Sequence, residues 1–268
     1  MNAPREFCAD EYRRDGFFFP LQIMSAAEAA GHRRRLEQAE ARHGPMHYRS
    51  KPFLLLASAM ELGRHPRLLD AVEKIIGPDI LLWEGAYIIK EAGDPRFVSW
   101  HQDLTYWGLD DGAGEACVSA WIALSEAGAA SGCMRALPGT HTMGKLRHRD
   151  TGDDQNILHR GQEVVADIDE AQTVDLCLAP GQASLHHGWV MHASKPNTGS
   201  DRRIGLNLQF LAPAVRQLVM KGDSATLVRG RDPHRHFRPD PAPRGDFDPA
   251  AVDFQREMER RRKEVWSA

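Results

Sequence analysis

Trp100-His101-Gln102-Asp103 is the stretch of this chain best equipped for chemistry. Alternate side chains of a strand share one face, so a strand here points His101 and Asp103 the same way. An imidazole and a carboxylate held like that are two-thirds of a facial two-histidine, one-carboxylate site. Such a site holds Fe(II) and leaves adjacent positions open for a chelating cosubstrate and O2. A His-x-Asp triplet alone is common among surface polar residues. A second stretch, His192-Ala193-Ser194-Lys195-Pro196-Asn197 and then Arg202-Arg203-Ile204-Gly205-Leu206, supplies what the first lacks, an imidazole and a guanidinium. His186, His187 and His192 all compete for the third ligand position, and the residues alone do not choose among them.

Iron in such a site needs a cosubstrate that brings two electrons. A 2-oxo acid chelates the metal through its carboxylate and keto oxygen, and its far carboxylate then needs a cation at a fixed distance. Arg203 suits this, because a guanidinium is always charged and its planar fork fits a carboxylate. Ser194 is a neighbouring hydroxyl donor. The plain alternative for Arg203 is a surface ion pair, for instance with Asp201.

The elements that must position these groups follow from the pattern. Cys8 to Arg14 predicts a short helix ending at Gly16, and Phe17 to Pro20 a buried strand. Ser25-Ala26-Ala27-Glu28 is a capping box that opens a helix running to about Arg42, stopped by Gly44-Pro45. A further helix starts near Pro66, with Leu68, Leu69, Val72, Ile75 and Ile76 as its apolar stripe. From Ile80 the pattern turns to strands: Ile80 to Lys90, Phe97 to Leu104, Ala116 to Leu124, Met134 to Leu137, Thr173 to Leu178, Ala183 to His187 and Val190 to Ser194. In Arg203 to Phe210, Ile204, Leu206, Leu208 and Phe210 are apolar on one face. Arg203, Gly205, Asn207 and Gln209 are polar or small on the other, which fits the lining of a polar cavity. Pairing of Val190–Ser194 with Arg203–Phe210 across the Pro196–Asp201 loop would set Ser194 opposite Arg203, with His192 on the same face. Lys145 to Val164 lacks periodicity and reads as a long loop, expected to act as a lid. Arg229 to Pro249 is rich in proline and charge, and a helix from Ala250 to about Val265 ends the chain.

Composition narrows the classes. The chain has 268 residues, 42% hydrophobic and 26% charged, ordinary for a soluble globular protein and long enough for one large β-rich domain with a full core or two small ones. We expect a single domain over 1–268, with N-terminal helices to about 78, a β core over about 80–212 and a C-terminal extension. A net charge of −3 offers no footprint for nucleic acid or an anionic membrane. Arg260-Arg261-Arg262-Lys263 is basic, but Glu257, Glu259 and Glu264 surround it, so it reads as a solvated helix face. Cys8, Cys117, Cys133 and Cys177 form no C-x-x-C pair, and no signal or membrane-spanning run is visible. The expectation is a cytoplasmic monomer or homodimer with free thiols, acting on a small molecule without nucleic acid or membrane.

Five ordered stretches then point to a family. They are Trp100-His101-Gln102-Asp103-Leu104, Ala120-Trp121-Ile122-Ala123-Leu124, Gly132-Cys133-Met134, Leu137-Pro138-Gly139-Thr140-His141, and His192-x-Ser194-x-x-Asn197 followed by Arg203. Together they resemble the phytanoyl-CoA dioxygenase family of Fe(II)/2-oxoglutarate oxygenases over roughly Ile80 to Ala212. The resemblance implies a double-stranded β-helix, a jelly-roll-like barrel that is mainly β with flanking helices. It implies Fe(II), 2-oxoglutarate and O2, with His101, Asp103 and His192 as iron ligands and so the catalytic set. Arg203 then resembles the 2-oxoglutarate anchor, with Ser194 beside it and Trp121 near the site. Asn197 and Pro138–His141 read as turn formers. Halogenating relatives replace the carboxylate ligand by a small residue, so Asp103 disfavours halogenation. Hydroxylation with release of succinate and CO2 is the expected outcome; desaturation, epoxidation or cyclisation can start from the same hydrogen abstraction.

For the substrate, Thr105, Tyr106 and Trp107 follow the metal strand and should overhang the iron. Glu84, Met134, Asn207 and Gln209 are further inward candidates, and Arg135, Arg147 and Arg229 could meet an anionic group. No basic cradle for a coenzyme A diphosphate is evident, which favours a free small molecule such as a secondary metabolite or polar organic acid. Two readings of other classes compete: a zinc hydrolase, which would not need Arg203, and a non-catalytic jelly-roll binding module.

Overall fold

The chain's computed structural model describes residues 5–158 and 161–267. Helix α1 (Ala9–Asp15) stops at Gly16, which takes a left-handed φ of 81°. A Cβ there would lie 2.5 Å from the His141 ring, so the helix stop is also where the Pro138–His141 turn packs. Strand β1 (Phe17–Gln22) follows. Helix α2 (Ala26–His43) opens with the expected capping box: Ser25 N donates to Glu28 Oε2 at 2.8 Å and Glu28 N to Ser25 Oγ at 3.2 Å. Helix α3 (Ala57–Gly63) has no counterpart in the sequence reading, because seven residues are too few to show a helical stripe. Helix α4 (Pro66–Ile76) buries Leu68, Leu69 and Val72.

The remaining elements are β2 (Ile80–Lys90), β3 (Val98–His101), α5 (Ala113–Ala116), β4 (Cys117–Ala123), β5 (Met134–Ala136), β6 (His148–Arg149), β7 (Glu163–Val164), β8 (Val174–Leu176), β9 (Gln182–His186), β10 (His192–Ser194), β11 (Arg203–Leu211), β12 (Ser224–Arg229), β13 (Arg238–Pro239) and α6 (Pro249–Ser267). The protein is mainly β with flanking helices. Its strands form a seven-stranded sheet in the order β1-β9-β4-β11-β2-β12-β13, a four-stranded sheet β3-β10-β5-β8 and the ribbon β6-β7. These are open sheets; among the described residues no barrel closes.

The chain packs as two compact units that interleave in sequence. One comprises Met1–Ala30, Ile89–Trp107 and Trp121–Gly205; the other comprises Gly31–Ile88, Gly108–Ala120 and Leu206–Ala268. In the first, β1 pairs antiparallel with β9, and β10 lies between β3 and β5. In the second, β12 pairs antiparallel with β2 and parallel with β13.

Three sequence expectations change. The strand expected over Phe97–Leu104 ends at His101, and Asp103 opens a 3-10 turn over Asp103–Thr105. β10 and β11 do not form a hairpin: the chain changes sheets between them, and β10 takes β3 and β5 as neighbours. The Lys145–Val164 stretch is not wholly irregular, since β6 pairs with β7 and Asn156 Nδ2 donates to Ser99 Oγ at 2.8 Å. Residues 159 and 160 of this expected lid lie outside the described residues, as do 1–4 and 268. Among the described residues no helix is long and apolar enough to cross a membrane, and all four cysteines are free.

A buried ion pair holds the second unit together. Lys51 is fully buried, and its Nζ donates to Trp83 O at 2.6 Å, Ser224 O at 2.8 Å and Asp240 Oδ2 at 3.3 Å. Burial lowers the Lys51 ammonium, against the opposing pull of Asp240 and Asp223. Removing one member of such a pair strands the other. Lys51→Met is expected to lower unfolding stability in urea by about 3 kcal/mol, the low end of that class because Thr226 still donates to Asp240. A loss well under 1 kcal/mol would show that the pair contributes nothing.

Candidate metal centre

The centre begins with a strand register. β10 runs antiparallel to β3 with His192 directly across from His101. The ladder is irregular beyond that point, where Ser194 faces Val98, as a bulge near a site re-aims side chains. The two rings come to 4.1 Å between centroids. Asp103 reaches them although the strand has ended, because Gln102 stays extended (φ −122°, ψ 123°) and preserves the two-residue alternation. Asp103 Oδ1 lies 3.4 Å from His101 Nε2 and 3.8 Å from His192 Nε2. Ligand atoms of His101, Asp103 and His192 all fall within 4.8 Å of one another.

The hydrogen bonds around the rings decide what faces inward. His101 Nδ1 lies 2.9 Å from Ser99 O, and His192 Nδ1 lies 3.1 Å from Val190 O. A carbonyl only accepts, so each Nδ1 carries a hydrogen, and in the neutral ring Nε2 is then the atom with the lone pair. Two lone-pair nitrogens and a carboxylate oxygen thus converge on one spot. Burial, helped by neighbouring His101, pushes His192 down to about 3, so this ring carries no extra proton at neutral pH. Burial favours a neutral Asp103, but the facing His192, His101 and His186 outweigh it and hold the carboxyl well below its usual range. Unscreened donors this close repel each other, and a divalent cation removes the conflict. The donor set, two imidazoles and one carboxylate, fits Fe(II).

The three competing histidines separate clearly. His192 faces His101. His186, at the end of β9, is fully buried with Nε2 3.6 Å from the other carboxylate oxygen, Asp103 Oδ2. His187 turns elsewhere: its Nδ1 accepts from Trp189 N at 3.0 Å and its ring lies tilted against that of His141, with 5.1 Å between centroids.

Gln102 is a residue that the sequence reading passed over. It is fully buried; its Nε2 donates to Gly144 O and Trp189 O, both at 2.8 Å, and its Oε1 accepts from Leu146 N at 2.8 Å. It therefore clamps the His-x-Asp segment between two loops. The available signal was a polar residue between two candidate ligands, which alternation turns to the opposite face.

A second cluster surrounds Arg203, whose side chain is buried. Its Nη1 donates to Gly132 O at 2.5 Å, and its guanidinium lies 5.3 Å from the Trp121 ring centroid. Two glycines make this possible. A Cβ on Gly205 would fall 1.9 Å from the Trp121 indole, and one on Gly132 would fall 2.2 Å from Lys195 O. Ser194 is buried, and its Oγ accepts from Lys90 Nζ at 2.7 Å. Asn197 shapes the turn as expected, donating to Glu91 O at 2.8 Å and Asp201 O at 2.9 Å while accepting from Gly199 N at 2.9 Å.

The substrate candidates scatter. Tyr106 and Trp107 are half-buried just after Asp103, with the Tyr106 ring edge-on to His148. Met134 packs into two apolar clusters, against Trp121 and against Ala136. Glu84 belongs to the other unit, where it accepts from Ser50 Oγ and Lys51 N, both at 2.9 Å, and pairs with Arg262. Its carboxylate is thereby committed to an ion pair, unlike the open inward group expected from the sequence. Asn207 and Gln209 also lie in that unit. Arg135 is engaged by Glu170 at 2.6 Å and Asp175 at 3.0 Å, and Arg229 by Glu73 at 2.7 Å and Asp70 at 2.8 Å, so neither is an open anion receptor.

Because Gly205 leaves room for the indole, Gly205→Ala is expected to displace Trp121 and loosen Arg203. Overpacking of this kind costs about 1–3 kcal/mol, read as a lowered melting temperature with a changed near-ultraviolet circular dichroism spectrum. Unchanged stability and spectrum would show that Trp121 is not wedged there.

Comparison with known proteins agrees with this geometry. The sequence profile described as Phytanoyl-CoA dioxygenase (PhyH) matches residues 12–205. Human peroxisomal phytanoyl-CoA dioxygenase is 26% identical over 163 residues, 59% of this chain and 47% of that protein. The L-proline trans-4-hydroxylase of Streptomyces griseoviridis is 24% identical over 163 residues, 56% of this chain and 61% of that protein. The chain thus spans about half the length of the first of these curated relatives. Among solved structures, the apo form of the non-heme monooxygenase ThoJ superposes with a TM-score of 0.85 and 34% identity, covering 97% of both chains. The β architecture is therefore the jelly-roll arrangement of these oxygenases, and the chain belongs to the phytanoyl-CoA dioxygenase family.

Proposed function

We propose that the protein is a non-haem Fe(II)- and 2-oxoglutarate-dependent dioxygenase that hydroxylates a small molecule. The observation that carries this is the convergence of His101 Nε2, His192 Nε2 and Asp103 Oδ1, with both Nδ1–H groups already committed to carbonyls. His101, Asp103 and His192 would hold the metal. The solved nickel complex of ThoJ, 32% identical to this chain with a TM-score of 0.80, supports a divalent metal centre in this fold. Bound Fe(II) supplies chelation of the 2-oxo acid and reduction of O2. In balance, R–H, 2-oxoglutarate and O2 give R–OH, succinate and CO2.

The protein's own residues do the rest. Arg203, held by Gly132 O and covered by Trp121, presents a fixed cation to the far carboxylate of 2-oxoglutarate, and the Ser194 hydroxyl donates beside it. His186 faces Asp103 Oδ2, which keeps Oδ1 turned toward the two imidazoles. Tyr106 and Trp107, which follow Leu104 and Thr105 after the metal strand, would contact the substrate. The hydroxylase among the relatives supports insertion of oxygen as the outcome, and a small organic molecule as the substrate class.

Anaerobic addition of Fe(II) and then 2-oxoglutarate to the apo-protein is expected to produce a visible metal-to-ligand charge-transfer band. Arg203→Ala is expected to need at least tenfold more 2-oxoglutarate for the half-maximal band, since a charge-assisted carboxylate contact is lost. If iron binds and no band forms at any concentration, the proposed cosubstrate is wrong. In equilibrium dialysis, His192→Ala and Asp103→Ala should each lose most bound Fe(II), whereas His187→Ala should keep it. Equal loss in all three would remove the ligand assignment.

A further inference from the structure

Lys90 sits at the end of β2 and is fully buried. Its Nζ donates to Ser194 Oγ at 2.7 Å and Lys195 O at 2.5 Å, with Ser194 O at 3.4 Å. All three acceptors are neutral. The nearest acidic influence, Asp94, is itself clasped by Arg96, with contacts of 2.6–3.0 Å. Burial first and the neighbouring Arg203 second push the Lys90 ammonium down to about 7. Two cationic side chains are therefore buried at the same place, one of them with no carboxylate bonded to it. Burying an uncompensated charge is costly, and an anion arriving between such groups relieves that cost.

The direction of the hydrogen bonds matters as well. An ammonium cannot accept, so the Lys90 contact occupies a lone pair of Ser194 Oγ and leaves the hydroxyl hydrogen to donate elsewhere. Arg203 is the other donor of that cluster. We infer that Lys90 is the second cation of the cosubstrate seat, positioning the Ser194 hydroxyl as a donor and adding charge behind it for the far carboxylate of a dicarboxylate. This rests on the 2-oxoglutarate reading of the site. Lys90 is a positioning residue: it acts through Ser194 and touches no reacting atom. A seat built this way should select a dianion. A monocarboxylic 2-oxo acid such as pyruvate would chelate metal equally well but bring no second carboxylate toward Lys90.

The test is anaerobic calorimetric titration of the Fe(II)-loaded protein with 2-oxoglutarate and, separately, with pyruvate, while the visible band is recorded. Wild type is compared with Lys90→Met, which keeps the volume, and Lys90→Gln, which keeps polarity but drops the charge; thermal melting checks that each variant is folded. Both variants are expected to bind 2-oxoglutarate at least tenfold more weakly and pyruvate within twofold of wild type. Unchanged 2-oxoglutarate affinity in a folded variant overturns the inference. So does equal weakening toward both ligands, which would mark Lys90 as a packing residue only. Heat without a band means that the dicarboxylate binds without chelating: the oxygenase reading then fails, while the comparison of variants still decides the role of Lys90. No 2-oxoglutarate binding by wild type overturns both.

Discussion

Everything at this centre depends on mutual repulsion among three electron-pair donors. Each ligand histidine gives its Nδ1 hydrogen to the carbonyl two residues back in its own chain. That local bond fixes the tautomer. The β3–β10 register then brings the two bare Nε2 atoms together, and the extended Gln102 delivers Asp103 Oδ1 between them. Packing forces this arrangement on groups that would otherwise avoid one another. The surrounding structure can be understood as what holds them there: the Gln102 clamp, the buried His186 behind Asp103 Oδ2, and strand β10 gripped on both sides.

A second constraint is the burial of cations. Arg203 and Lys90 in one unit and Lys51 in the other are all removed from water. Lys51 has a carboxylate, Asp240, built in beside it. Lys90 instead rests on a hydroxyl and carbonyls. The contrast separates a cation used for stability from one placed where charge is left over. The glycines around Arg203 serve that placement. Gly205 lets the Trp121 ring lie over the guanidinium, and Gly132 lets the Lys195–Pro196 backbone pass close while its own carbonyl holds Arg203. A ring face above a guanidinium adds attraction without neutralising it.

Much of this was legible in the residues themselves. The capping box, the glycine helix stops and the apolar runs of β2, β4 and β11 rest on local rules, and they appear close to where those rules put them. The His-x-Asp pair and the downstream His, Ser and Arg pointed to metal and anion chemistry by residue type, and the family resemblance singled out His192 among the three histidines. Helix α3 and the terminal strands β12 and β13 were not legible, because short elements and proline-rich flanks carry too little periodicity. The supposed hairpin of β10 and β11 failed because a short link does not oblige two strands to pair, and here the chain changes sheets across it. Glu84, Arg135 and Arg229 carried the right charge for a pocket, yet each is taken by a partner far away in sequence.

The sequence by itself determined the chemistry on offer: which donors exist, that alternation sets His101 and Asp103 on one side, and, through the family resemblance, that a jelly-roll-like β core should carry them. Tertiary structure decided among equals. The register of β10 on β3 brings His192, and not His187, across from His101; β9 sets His186 behind the carboxylate; and the packed interior brings Lys90 onto Ser194. The reason is range. Tautomer, alternation and capping are fixed by bonds within a few residues. The choice of ligand and the pairing of charges depend on contacts between residues far apart in the chain, 104 positions for Lys90 and Ser194, which local composition does not encode.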